Sequence, residues 1–436
     1  MSRLNSVLSR IKKKSRASIE IKNFSWLVAG KIIQMIISLL VGLLTARYLG
    51  PSNYGLINYS TTYITFFSAL CTLGISSVLV KNFTDKPDEA GVTLGTTLVV
   101  RLVSSVLSGL LIILIVSFID YGESLTITVT AIVCIALLFQ PFDSFNYWFQ
   151  FKYEAKVIAM VSLFAYIAVA LYRIILLLQG KDVRWFAFAT ALDYIALAIF
   201  IYISYRKYDG PKLSYSTVKA KELLHSSYHF ILSSLMIAIY GYTDKFMLKQ
   251  MLNETEVGYY SIATSICAMW VFVLQAVIDA VYPTIMNLHK IDRKAFEKKN
   301  RQLYAIVFYI AIGVSIFISI FAPLGIRILY GEDYLPATDS LRIVTWYTAF
   351  SYLGVARNAW IVCEEKQKYL KYMYVFAVFI NVGLNSLMIP VMGTSGAALA
   401  SLITQIFTSI ILPACFREMR PNVKLMLDAI MMKGLR

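Results

Sequence analysis

The sequence predicts an all-α integral membrane protein with about twelve transmembrane helices. Of its 436 residues, 58% are hydrophobic and only 15% are charged. Soluble domains contain about 45–50% apolar and about 25% charged residues, so this chain has too few charges to cover a water-soluble globule. In addition, the apolar residues form runs of about 20, which is the length of a helix that crosses a bilayer. Soluble enzymes, nucleic-acid-binding modules and disordered regulators are therefore excluded.

The apolar runs follow one another along most of the chain. They lie near residues 24–46, 58–80, 93–118, 126–149, 157–178, 185–205, 225–247, 257–282, 303–326, 339–362, 369–390 and 395–415. These runs lack the alternation of membrane β-strands and are about twice as long, so a membrane β-barrel is not expected.

The distribution of basic residues predicts the orientation. The chain has 41 Lys and Arg against 25 Asp and Glu, a formal net charge of +16. If the N-terminus is cytoplasmic, most loop Lys and Arg fall on the inner side, as the positive-inside rule requires. The prediction is therefore N-in and C-in, with the basic excess facing anionic lipid headgroups rather than nucleic acid.

A weak internal repeat divides the chain. Tyr54-Gly55 opens the second predicted span, and Val257-Gly258 opens the eighth. Because each half then holds an even number of helices, we expect two six-helix lobes related as parallel repeats. The predicted ranges are a basic amphipathic cytoplasmic segment (1–23), an N-terminal lobe (24–205), a basic cytoplasmic linker (206–224), a C-terminal lobe (225–415) and a cytoplasmic tail (416–436).

Ionisable residues inside the predicted spans are candidate site residues, because charges in a bilayer are costly and usually face the interior of the bundle. The basic set consists of Lys31, Arg101, Arg173, Arg342 and Arg357. It outnumbers the acidic residues of the spans. This excess predicts a hydrated cationic cavity for an anionic headgroup, since Arg suits phosphate. The alternative is that these charges pair with one another or reach the membrane surface from helix ends.

Carboxylates inside or at the ends of spans are candidates for coupling to an ion gradient. Asp193, Asp279 and Asp244 are the candidates for binding a proton or Na⁺. Structural pairing is the alternative reading for each of them. Nothing in the sequence resembles a phosphate-binding P-loop, and no metal site or cofactor is predicted.

Five motifs together suggest a family. They are Ala46 to Gly55, Phe142-Asp143 with Trp148 to Gln150, Thr243 to Leu248 followed by Val257 to Tyr260, Leu329 to Tyr334, and Asn381 through Ala398. In order and spacing these motifs resemble the Wzx-type polysaccharide flippases, which belong with the multidrug and toxin extrusion (MATE) transporters in one superfamily. The residues that the motifs carry over are Arg47, Asp143, Gln150 and Asp244.

The resemblance implies a multi-pass transporter of the bacterial inner membrane. Such a flippase moves undecaprenyl-diphosphate-linked oligosaccharide repeat units from the cytoplasmic to the outer leaflet, by alternating access driven by an ion gradient. Other proteins then polymerise the units into O-antigen, capsule or exopolysaccharide. The implied partners are the lipid-linked oligosaccharide, membrane lipids, a polysaccharide polymerase and a chain-length regulator, and no nucleic acid.

Two rival functions remain. A MATE-type cation-coupled drug exporter would share the fold, but cationic substrates favour a cavity with more acid than base. A membrane glycosyltransferase, polymerase or ligase needs catalytic carboxylates or histidines on a sizeable outer loop. The predicted outer loops are short and contain no His, so we expect a transporter rather than an enzyme.

Arg101 provides the first test. If it binds the anionic headgroup, Arg101→Ala should abolish transport while Arg101→Lys retains part of it, because Lys keeps the charge but not the guanidinium fork. The transport activity of both variants is measured by how much surface polymer each restores in a transporter-deficient strain. Full activity of a membrane-inserted Arg101→Ala protein would remove the residue from the site.

Overall fold

The computed structural model describes the backbone of residues 2–434, and their side chains apart from those of residues 2–29, 31, 32, 229 and 233. This part of the chain is 89% helical and contains no strand, which confirms the all-α prediction. Within it, eight helices are long and apolar enough to cross a membrane, or nine if a bent pair in 217–251 counts as one span. The protein is therefore a multi-pass membrane protein.

The first compact unit comprises Met1–Tyr48 and Tyr63–Leu235. Its helices are α1 (Ser2–Thr72, of which residues 49–62 belong to the second unit), α2 (Ser76–Asp85), α3 (Ala90–Ile119), α4 (Ser124–Phe139), α5 (Ser144–Phe151), α6 (Ala155–Leu178), α7 (Val183–Lys207) and the first part of α8 (Thr217–Met251). Its core is aromatic: Phe145, Trp148 and Phe149 of α5 pack with Tyr205 of α7 and Phe83 of α2. Small residues let α6 and α7 approach closely.

The segment between α7 and α8 is attached to the first unit. The backbone N–H of Ser214 donates to the carbonyl oxygen of Gly91 (3.4 Å), and that of Ser216 donates to Thr96 Oγ1 (3.0 Å). Lys219 is buried and donates to Asn82 Oδ1 at 3.1 Å. Part of the segment predicted as a linker is thus packed against α3 and bonded to α2.

The second unit comprises Leu49–Thr62 and Met236–Arg436. Its helices are the rest of α8, α9 (Glu254–Ile291), α10 (Arg293–Leu329), α11 (Ala337–Ala356), α12 (Asn358–Cys363), α13 (Lys368–Ile406), α14 (Leu412–Cys415) and α15 (Arg420–Ile430). A five-residue π-helical segment, Phe407–Ile411, joins α13 to α14. The core lies among α9, α10, α11 and α15.

The C-terminal helix α15 docks on α10. Asn422 Nδ2 donates to Tyr304 OH at 2.7 Å, and Tyr309 OH donates to the carbonyl oxygen of Ile430 at 2.6 Å. The preceding turn is tied by Lys366, whose Nζ lies 2.5 Å from Glu418. This contact lowers the pKa of Glu418 to about 2, so the bridge is charged at neutral pH.

Helix α13 folds back on itself at Gly393. In a straight helix, residues 381 and 401 would lie about 30 Å apart. Asn381 Nδ2 nevertheless donates to Ser401 Oγ at 3.2 Å. Gly393 makes the reversal because its φ of 58° and ψ of −134° lie outside the helical region and favour glycine. A similar break in α1 lies at Gly50 (φ 71°), just before Pro51.

The two glycines of the internal repeat lie at a close helix contact within the second unit. A Cβ added to Gly55 would lie 1.8 Å from the carbonyl oxygen of Glu254, and one added to Gly258 would lie 2.1 Å from the carbonyl oxygen of Pro51. Ser52 Oγ donates to Glu254 Oε1 across the same contact at 3.1 Å. Only glycine lets residues 51–55 approach the start of α9 this closely.

Gly258→Ala and Gly55→Ala should each destabilise the protein by about 1–3 kcal/mol, because the new methyl group meets backbone that has to move. Gly313→Ala is the matched control, since a Cβ there meets nothing within 4 Å. Thermal unfolding of the detergent-solubilised variants measures the difference in Tm. An unchanged Tm for Gly258→Ala would contradict the packing.

Candidate functional site

A buried carboxylate, Asp244 of α8, lies at the centre of the second unit. Its Oδ1 accepts hydrogen bonds from Asn385 Nδ2 (2.7 Å) and Asn381 Nδ2 (3.1 Å). Its Oδ2 accepts from Tyr260 OH and Ser401 Oγ, both at 2.5 Å. The residue is only 5% exposed. Burial removes the hydrogen bonds that a carboxylate makes to water, and four donors of the protein replace them.

Three elements bring these donors together. Tyr260 lies at the start of α9, Asn381 and Asn385 share one face of α13 because they are four residues apart, and the reversal at Gly393 returns Ser401 to the same level. Asn385 Nδ2 also donates to Asn381 Oδ1 at 3.0 Å. By contrast, Asn385 Oδ1 is buried and has no partner among the described residues. This amide oxygen has unused capacity to bind a donor or a cation.

A cavity of about 330 Å³ lies beside Asp244. Its lining is rich in tyrosine and hydroxyl groups: Tyr240, Tyr242, Tyr260, Tyr347, Thr264, Ser265 and Ser401, with Asp244 and Lys245 as the charged residues. Lys245 Nζ donates to Asn58 Oδ1 at 3.2 Å. The cavity thus presents flat rings and both donors and acceptors.

A second cavity of about 150 Å³ shares Tyr240 and Tyr347 with the first and is lined by Arg357. Arg357 is 6% exposed, and its Nη1 donates to the carbonyl oxygens of Thr408 (3.4 Å) and Ser409 (3.2 Å). Its Nε is buried without a partner in the described part of the chain. A buried guanidinium with a spare donor beside a cavity is suited to an anionic group.

The local backbone explains why the carbonyl oxygens of Thr408 and Ser409 are free to accept hydrogen bonds from Arg357. Residues 407–411 form a π turn, in which the Leu412 N–H donates to the carbonyl oxygen of Phe407 instead of that of Thr408. The Ser409 carbonyl has no partner four residues on, because Pro413 lacks an N–H. Arg357 satisfies both carbonyls, which would be costly to leave unpaired inside a membrane protein.

The other predicted cations have different surroundings. Arg101 is fully buried and lies 2.5 Å from Asp143 Oδ1, while Arg173 lies 2.8 Å from Asp193 Oδ2. The side chain of Lys31 lies outside the described residues. None of Arg101, Arg173 and Arg342 lines either of the two cavities described above.

Arg101 and Arg173 thus each lie beside a carboxylate partner. Arg342 also has a carboxylate partner, Asp339 (3.2 Å), and it donates to the carbonyl oxygen of Ser319 (3.1 Å). The remaining acidic candidate, Asp279, accepts from Gln275 Nε2 on its own helix at 2.8 Å and is exposed. Arg47 and Gln150 are exposed as well, and neither lines the two cavities.

Sequence reasoning missed most of the residues around Asp244. Tyr260, Asn381 and Asn385 fall within the motifs of the family resemblance but were given no role in the site, and Ser401 lies outside those motifs. Two asparagines four residues apart inside an apolar run are a usable signal, since they place two amides on one buried helix face. The contribution of Ser401 required the reversal at Gly393, which sequence spacing does not reveal.

Comparison with known proteins identifies the family. The profile of the family described as polysaccharide biosynthesis protein matches residues 21–289, which is more than half of the chain. The chain belongs to this family. This result confirms the resemblance drawn from the motifs. A comparison with curated protein sequences finds no match.

Solved structures show that this member of the polysaccharide biosynthesis family has the fold of the MOP superfamily. The lipid II flippase MurJ, in an inward closed conformation, aligns with a TM-score of 0.72 at 14% identity, covering 93% of this chain and 91% of that one. An inward-facing multidrug resistance MATE transporter aligns with a TM-score of 0.67 at 17% identity, and the alignment covers 91% of this chain and 96% of that one. A MOP superfamily transporter from Pyrococcus furiosus gives 0.61 at 15% identity, with coverage of 94% and 95%.

Arg357→Met should destabilise the protein by about 1–3 kcal/mol, because it leaves two buried carbonyls without a donor. Pro413→Ala supplies an N–H next to the Ser409 carbonyl, so the double variant should lose less stability than Arg357→Met alone. Thermal unfolding of the two single variants and the double variant completes the cycle. Strictly additive losses would show that Arg357 does not serve the carbonyl that Pro413 leaves free.

Proposed function

We propose that this protein is a flippase that moves undecaprenyl-diphosphate-linked oligosaccharide repeat units from the cytoplasmic to the outer leaflet of the bacterial inner membrane. Two findings support this: the chain belongs to a polysaccharide biosynthesis family, and it shares its fold with a lipid II flippase. In this proposal the protein is a secondary transporter that works by alternating access, and it catalyses no covalent step.

The observation that carries the proposal is the charge pattern of the two cavities. Asp244 accepts hydrogen bonds from four donors, whereas Arg357 Nη1 donates to two neutral carbonyl oxygens and Arg357 Nε has no partner among the described residues. A cavity that offers a buried cation with spare capacity favours an anionic substrate group such as a phosphate. Tyrosines and hydroxyls next to it suit the sugars of the same molecule.

The alternative is a MATE-type cation-coupled drug exporter, which the fold also permits, because multidrug MATE transporters are among the structural neighbours. A cationic drug would need an available acidic group. Asp244 is the acidic residue that lines the larger cavity, and the two cations Lys245 and Arg357 line the same pair of cavities, so their lining carries no excess of negative charge. The flippase therefore fits these cavities better.

Asp244 is also the best of the three predicted coupling residues. Asp193 is paired with Arg173, and Asp279 is exposed. Next to Asp244, the buried Asn385 Oδ1 has no partner among the described residues. A carboxylate beside an unused amide oxygen is the kind of donor set that binds a small hard cation, and a carboxylate can equally accept a proton. Coupling to H⁺ or Na⁺ at Asp244 is thus part of the proposal.

The proposed topology has twelve crossings in two six-helix lobes, with both termini in the cytoplasm. Two of the eight candidate spans, 33–85 and 368–415, are long enough to cross twice, and each contains a glycine break. The positive-inside distribution of Lys and Arg supports the N-in orientation. Membrane lipids, a polysaccharide polymerase and a chain-length regulator are the proposed partners.

The test is a deletion strain whose undecaprenyl-linked glycans are extracted and profiled. We expect one complete repeat unit to accumulate and the surface polymer to disappear. Asp244→Asn should fail to restore the polymer, because it removes the charge that binds the coupling ion. Glu297→Gln, at a surface ion pair with Arg293, is the matched control and should restore it.

Membrane fractionation confirms that each variant is inserted in comparable amounts. Unchanged glycans in the deletion strain would refute the flippase and favour drug export. Full restoration by Asp244→Asn would leave the flippase standing but remove Asp244 from ion coupling.

A further inference from the structure

The 330 Å³ cavity is small compared with a whole oligosaccharide. Its volume is near the lower end for small-molecule pockets, which run from about 300 to 1,000 Å³. The aromatic residues Tyr240, Tyr242 and Tyr347 and the hydroxyl-bearing residues Thr264 and Ser265 line it. A sugar ring offers C–H faces to aromatic rings and hydroxyls to polar groups, so this lining matches a single ring.

Two residues belong both to this cavity and to the shell around Asp244. Tyr260 and Ser401 line the cavity, and each donates its hydroxyl proton to Asp244 Oδ2 at 2.5 Å. The other two donors, Asn381 and Asn385, do not line the cavity. The asparagines therefore only hold the carboxylate, whereas the two hydroxyls link its Oδ2 to the cavity that Asp244 itself also lines.

The charge of Asp244 decides whether the hydroxyls of Tyr260 and Ser401 can donate a hydrogen bond to a ligand in the cavity. A hydroxyl has one proton and two lone pairs. While the carboxylate is charged, both protons are committed to it, and the cavity receives only lone pairs from Tyr260 and Ser401. Once a cation or a proton neutralises Asp244, these bonds lose about half of their strength, since charge-assisted hydrogen bonds are roughly twice as strong as neutral ones. Both hydroxyls can then donate to a ligand.

We propose that the 330 Å³ cavity binds one sugar ring of the transported glycan, and that Tyr260 and Ser401 relay the charge state of Asp244 to this ring. The proposal rests on the proposed function and assigns it a carbohydrate subsite within the second unit. Because coupling between two sites is reciprocal, sugar in the cavity also changes the affinity of Asp244 for its cation. Tyr260 and Ser401 are positioning residues for Asp244 as well as direct contacts of the sugar.

The experiment is saturation-transfer NMR on the purified full-length protein in nanodiscs. The probes are N-acetylglucosamine, galactose and glucuronate, each at about 10 mM, which would occupy a site with a millimolar Kd. We expect at least one of them to bind the wild type. Asp244→Asn mimics the neutralised carboxylate. It should change the Kd of the bound sugar by about fivefold or more, which is the lower end of usual coupling between sites.

The relay is tested by a double-mutant cycle. In the Tyr260→Phe background, and in the Ser401→Ala background, Asp244→Asn should have a much smaller effect, because the connecting hydroxyl is absent. Tyr259→Phe is the matched control: this neighbouring tyrosine does not line the cavity and contacts Tyr334. In that background the full effect of Asp244→Asn should persist.

Failure of either part is decisive. No transfer to any of the three sugars in the wild type and in Asp244→Asn overturns the subsite, and an undiminished effect of Asp244→Asn in Tyr260→Phe overturns the relay. If Asp244→Asn does not fold, the single variants decide, since Tyr260→Phe should weaken sugar binding and Tyr259→Phe should not. Lipid-linked glycan accumulation in the deletion strain is independent of these results, so the flippase can stand when the subsite fails.

Discussion

The second unit is built around one buried carboxylate, Asp244, whose oxygens have to find hydrogen-bond donors inside the protein. Burying an unpaired carboxylate is costly enough to prevent folding around it, and Asp244 avoids this cost through four hydrogen bonds. The donors come from α9 and from both arms of α13. Their convergence requires the chain reversal at Gly393, so a single positive-φ glycine and a single acidic residue depend on each other.

The arginines of the interior also need partners inside the protein, and they find them in different ways. Arg101 and Arg173 are neutralised by Asp143 and Asp193, whereas Arg357 is held by carbonyls that a π turn and Pro413 leave without N–H partners. In a membrane protein each such group has to find its partner inside the protein. Carboxylate pairing therefore accounts for Nη1 of Arg101 and Nη2 of Arg173, whereas Nε and Nη2 of Arg101 are buried without a partner among the described residues.

Two of the buried polar atoms without a partner belong to residues at or beside the two adjoining cavities of the second unit. Asn385 Oδ1 and Arg357 Nε are buried without partners in the described part of the chain, and Tyr260 and Ser401 each keep lone pairs. An acceptor next to a carboxylate, a spare cationic donor and a tyrosine-lined space thus lie within one unit. In the proposed function, this proximity would connect the ion site to the substrate site through direct hydrogen bonds.

The sequence by itself determined the membrane class, the all-α fold and the family, because these follow from the length of apolar runs and from motif order, which are local properties. It also located the repeat glycines Gly55 and Gly258. Only the tertiary structure decided which charges are consumed in pairs and which face a cavity. Arg101 and Arg357 look alike in the sequence, yet one has Asp143 beside it and the other has two carbonyls. Likewise, Ser401 joined the site through a reversal that brings distant residues together, and spacing along the chain carries no information about such a contact.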